Sequence, residues 1–190
     1  GGDIFADQLQ GDIKLITAGG NLNIERIKGE TVLQSTGGDI SIKNCQGRFR
    51  AHTSGGTIEL FDNQGQYNVS TLGGDIRLST VKGELELMTI GGSIFAHNLA
   101  GEKLHCRSSS GSIIAEEING NFVCQTQDGN IQIESLKGLC NLTTTNGNIV
   151  MDYLEGTLVL DVANGNIIGE NIFGPIQAYT SSGDINFKIS

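Results

Sequence analysis

Glycine recurs in this chain with a period that leaves few folds open. One series runs Gly2, Gly20, Gly38, Gly56, Gly74, Gly92, Gly111, Gly129, Gly147, Gly165 and Gly183, every step being eighteen residues except the one from Gly92 to Gly111. A second series falls midway, from Gly11 through Gly83 and Gly101 to Gly174. Apolar residues keep phase with both. They stand two, four and seven places after the first glycine, as in Ile76, Leu78 and Val81, and two and four places after the second, as in Leu85 and Leu87. Alternation by two is the spacing of a strand, and the skip to seven marks a bend. Each nine-residue unit is therefore one short strand and one corner. The 28 glycines against one proline argue against helices, and their period is not that of collagen.

Two such units cannot enclose a core by themselves, so successive pairs must stack and bury one another. The expected fold is all-β: a single parallel β-helix, or β-solenoid, of roughly ten coils of eighteen residues, with residues 1–190 forming one domain. Crossovers between parallel strands of one sheet are right-handed almost without exception, so the coil is expected to be right-handed. The extra residue between Gly101 and Gly111 is expected as a bulge near Glu102 and Lys103.

Glycine at the corners answers a need for positive φ or for close approach of stacked backbones. Where the first glycine of a pair is lost, Ser110, Asp128, Asn146, Asn164 and Ser182 replace it, which suggests a left-handed conformation there. The column after the first-series glycine holds Asp39, Asp75, Asn130, Asn148 and Asn166, side chains able to bond one another or corner amides. A hydroxyl column, Thr17 to Thr180, is in phase with the inward leucines, with Val162 the exception. The chain starts and stops inside the repeat, at GGDI and SGDINFKIS, and is read as a module of a longer polypeptide.

The recurring units GGDI at 1–4, 37–40 and 73–76, GGSI at 91–94, SGSI at 110–113, NGNI at 146–149 and 164–167 and SGDI at 182–185 resemble a bacterial adhesin-like β-solenoid repeat family. The resemblance runs from Gly2 to about Phe187 and implies a solenoid module of unknown function on envelope-associated or secreted proteins, hence a location at the cell surface. It implies no catalytic residues.

A net charge of −9 with scattered Lys and Arg excludes a phosphate-backbone partner, and no apolar run is long enough to span a membrane. The calcium β-roll pattern fails because Ile or Leu stands where its glycine belongs, at Ile40, Ile76 and Ile94. An ice-binding surface fails because the threonines face inward. Two surface columns stand out. Five places after the first-series glycine, Glu116, Glu134, Asp152 and Glu170 follow one another, with Glu117 beside the first. Stacked carboxylates repel, and a divalent cation with oxygen ligands, Ca²⁺, would relieve them. Three places after the same glycine, Phe95, Ile114, Val150 and Ile168 face outward, interrupted by Gln132, and read as a contact surface for a protein or glycan partner.

Cys106 and Cys124 share an inward column, within reach of a disulfide, whereas Cys45 and Cys140 lie elsewhere. His52, His97 and His105 form no nucleophile arrangement with a Ser or Cys. The leading functional reading is a non-enzymatic structural or binding module. The alternatives are a polysaccharide-acting enzyme, for which the short corners supply no groove wall, and cation-dependent binding through the acidic column.

Overall fold

Residues separated by one coil lie against one another along the whole chain. In the computed structural model, which describes residues 1–188, sixteen strands form one sheet and every pairing is parallel. Ile58 pairs with Ile76, Ile76 with Ile94, and Ile94 with Ile113. In the middle of the rod a single strand runs through each coil, as in Ile58–Thr71, Ile76–Thr89 and Ile94–Ser108. Toward the ends the coils divide into shorter pieces, such as Leu22–Glu25 with Lys28–Ser35. The one break in register falls where the sequence has its extra residue: Gly101 pairs with Gly120 and Leu104 with Phe122, so Glu102 and Lys103 oppose one residue. Among the described residues no helix is long and apolar enough to cross a membrane.

The apolar columns form the interior. The first-strand column from Leu22 through Ile40, Ile58, Ile76, Ile94 and Ile113 to Ile167 is almost wholly buried. Volume is exchanged between columns rather than kept constant within one. Phe49 and Tyr67 stack with ring centroids 5.0 Å apart beside the smaller Ala51 and Val69. Farther along, Phe122 lies near Ala115 and Cys124. All four cysteines are free thiols, including Cys106 and Cys124, which are partners in register. Burial pushes the Cys124 and Cys140 thiols well up, so they stay protonated and pack as small hydrophobes.

The two glycine series serve different needs. At Gly74 the backbone is ordinary, but a Cβ would sit 2.0 Å from the Gly56 carbonyl oxygen of the preceding coil. At Gly83 φ is +130°, and the Gly65 carbonyl also blocks the Cβ. The doubled glycines do not behave as the sequence suggests. Ser110, Asp128, Asn146, Asn164 and Ser182 have no positive φ, because their position is open and merely small. The left-handed residue lies elsewhere, six places after the first-series glycine, at Gln8, Arg26, Asn44, Asp62, Thr80, Asn98, Glu117 and Asn171. At Thr80, φ of 57° in a β-branched residue costs about 1–2 kcal/mol, which the packed coils on either side must sustain.

Polar columns fasten the corners. The Asp39 carboxylate accepts a hydrogen bond from the Thr57 amide at 2.7 Å, and Asn148 accepts one from the Asn166 amide at 2.8 Å, so these side chains bond to amides one coil on. Buried Asn63 stands in an apolar column and is satisfied, accepting from the Cys45 amide and donating to the Ile42 carbonyl, both at 2.9 Å. Thr31 is the other polar intruder, and its buried hydroxyl has no partner.

Candidate functional site

The lateral face of the first strands carries a notch of about 600 Å³. It arises from two small side chains set among large ones. Register places Phe61, Ser79, His97 and Glu116 in one outward column, and Glu59, Arg77, Phe95 and Ile114 in a second. Between them the inward column, Leu60, Leu78 and Ala96, forms the floor. Ser79 falls between the bulk of Phe61 and His97, and the floor drops where Leu78 gives way to Ala96. The Arg77 guanidinium lies over the Phe95 ring, 4.9 Å from its centre, while bonded to Asp75 at 3.0 Å. Such a cation over an aromatic face holds both side chains in one arrangement. Phe61, opposite, is 47% exposed. Strained Thr80 follows Ser79 directly and turns the chain away from the notch.

The contact surface expected from sequence divides in two. Phe95 and Ile114 are register partners and line the notch. Val150 and Ile168 pair with one another farther along the same column and are exposed, and Gln132 separates the two groups. Three residues that build the site were not singled out by sequence reasoning, Phe61, Arg77 and Ser79, and His97 was weighed there only as a partner for a nucleophile. The available signal was the succession of side-chain size within one column, large, small, large, which a search for apolar runs passes over.

The acidic column is in register as well. Ala115 pairs with Ile133 and Ile133 with Met151, which aligns Glu116, Glu134 and Asp152, and Met151 with Gly169 carries the column on to Glu170. Basic side chains stand at its two ends. His97 Nδ1 is 3.4 Å from Glu116 and Nε2 is 4.0 Å from Glu117, and Glu170 pairs in register with Lys188. Among the described residues no group of three His, Cys, Asp or Glu side chains is close enough to hold a metal ion. The neighbouring Lys137 forms its ion pair with Glu155 at 3.1 Å, outside the column, and that carboxylate raises the lysine's affinity for its proton.

A regular parallel β-solenoid with one inserted residue, a lateral notch and corners fastened by side-chain columns defines the class. Residues 65–190 match the model of the Toastrack DUF4097 family, and the chain belongs to that family. The match begins inside a coil, and the coils before Gly65 continue the same stacking in register. No curated protein and no solved structure matches the chain.

Proposed function

We propose that this Toastrack domain is a non-enzymatic binding module, a stiff rod that presents its lateral face to a partner, in an adhesin-like role at the cell envelope. The observation that carries the reading is the notch at Ser79. The chain departs from regular stacking by a single inserted residue, yet one face combines a concave site, the exposed Phe61 ring and a half-buried Phe95 ring held under the Arg77 cation. Concave, largely apolar sites with a few placed polar groups are where ligands bind. Short corners favour binding over turnover, because polysaccharide lyases and hydrolases work inside grooves walled by long loops that position paired carboxylates. The envelope location rests on the resemblance of the GGDI-type units to surface-associated repeats.

A second reading, cation-dependent binding, is favoured by the alignment of Glu116, Glu134, Asp152 and Glu170 on successive coils. The test that separates binding from catalysis is incubation of the protein with neutral and acidic polysaccharides, followed by mass analysis of the recovered chains. Intact chains are expected. Cleavage that disappears in Glu134→Ala or Asp152→Ala would make the domain a polysaccharide-acting enzyme.

A further inference from the structure

The notch also restricts what its partner is made of, and this inference rests on the binding reading above. Its charged lining balances: Lys43 and Arg77 stand against Glu59 and Glu116, in a chain of net charge −9. A balanced lining gives the notch no charge preference of its own; the surrounding acidic field repels anions and draws cations to the whole surface rather than to this notch. Recognition there must come from apolar contact and hydrogen bonds.

An extended peptide would gain most of its affinity by adding to an unpaired strand edge. None is present at the notch, where each strand segment is already paired on both sides, from Ile40–Lys43 through Ile58–Thr71 and Ile76–Thr89 to Ile94–Ser108. An amphipathic helix would need a continuous apolar stripe. Along the outer column the apolar pair Phe95 and Ile114 is bounded by Arg77 on one side and Gln132 on the other.

A sugar chain meets both conditions. Pyranose rings carry an apolar C–H face that packs on an aromatic ring, with hydroxyls around the rim for polar partners, and aromatic side chains provide a large contact area at little entropic cost. The notch presents Phe61 and Phe95 with Glu59, Arg77, His97 and Glu116 around them. It crosses five successive coils, from Lys43 to Glu116, a run on the order of 20 Å at the ordinary strand spacing. The advance of an extended β-linked pyranose chain per ring is close to that of one coil.

We infer that the notch binds a neutral, extended glycan lying along the solenoid axis, with the exposed Phe61 ring against a sugar face, Phe95 under its Arg77 cover forming the apolar wall, and Arg77, His97, Glu59 and Glu116 on the hydroxyls. The test is calorimetric titration of the whole chain with cellohexaose, mannohexaose and chitohexaose, beside a displayed peptide library. Wild type is compared with Ser79→Phe, Phe95→Ala and, on a different face, Gln125→Ala. Ser79→Phe fills the notch with a side chain that the fold already accepts in the same column at Phe61, so a folded variant with a closed site is expected.

The inference predicts saturable binding of at least one hexasaccharide, little changed by added salt. It predicts binding at least about tenfold weaker in both notch variants and unchanged in Gln125→Ala. Binding of no hexasaccharide, or binding that survives Ser79→Phe, would overturn the glycan. A library peptide bound by wild type and lost in Ser79→Phe would overturn the glycan but leave the binding module standing. Failure of glycans and peptides alike would overturn both.

Discussion

One hydroxyl per coil holds neighbouring turns together at a corner where two backbones nearly touch. The buried Thr71 hydroxyl donates to the Gly56 carbonyl of the preceding coil at 2.9 Å and accepts from the half-buried Gly74 amide of its own at 3.2 Å. Thr53, Thr89 and Ser108 do the same. Changing Thr71 to Val keeps the volume and strands both backbone groups, and should cost about 1–3 kcal/mol. The midpoint of urea unfolding measures this, and an unchanged midpoint would mean the column is mere packing. Val162 lacks the hydroxyl, and the Gly165 amide there donates to Ser182 of the next coil at 2.9 Å, as the Gly147 amide does to Asn164 at 3.0 Å with the Thr144 hydroxyl in place. The inward facing of this column was legible from its phase with the leucines. Its hydrogen-bonding role was not, because that depends on how closely Gly56 and Gly74 approach. The left-handed position carried half a signature: Asn44, Asp62, Asn98 and Asn171 are of the types that tolerate that region, whereas Gln8, Arg26, Thr80 and Glu117 share only a place in the coil. Stacking imposes the conformation there and overrides residue preference.

At the scale of the element, the sheet converts an eighteen-residue period into columns, and each column takes its character from four or five residues in register. The acidic column makes this measurable. Its middle members, Glu134 and Asp152, lie on adjacent strands, whereas His97 and Lys188 stand at its ends. Glu134→Gln should raise stability at low salt by a few tenths of a kcal/mol up to about 1 kcal/mol, and the gain should fade as salt screens the column. Thermal unfolding at low and high NaCl checks this, and a loss of stability at low salt would mean the column is not self-repelling. The same samples test the cation reading. A wild-type Tm that climbs with millimolar Ca²⁺, and no longer does so in Glu134→Gln, would assign the ion to the column, whereas an unmoved Tm would leave a solvated acidic edge. The column itself was readable from spacing. The notch was only half readable, because Phe95 and Ile114 form an apolar pair, while its shape comes from Ser79 and Ala96 being small at adjoining positions of neighbouring strands.

For the whole molecule, the consequence of stacking is that each coil touches only the coils before and after it, so stability is a sum over like interfaces. The notch and the acidic column exist only because residues one coil apart are spatial neighbours. That claim is tested most directly by deleting sequence in units of the repeat. Removing residues 129–146 joins Asp128 to Gly147 and preserves every column, bringing strand Ile113–Thr126 against Ile149–Asn164 in their present phase. Removing residues 129–137 deletes the same corner but joins Asp128 to Gly138, which puts second-strand columns on first-strand ones. Far-UV circular dichroism and urea unfolding of the two variants give the answer. The account predicts a folded, cooperative, modestly less stable protein for the whole-coil deletion and loss of cooperative structure for the half-coil one. Equal behaviour of the two, whether both folded or both unfolded, would contradict it.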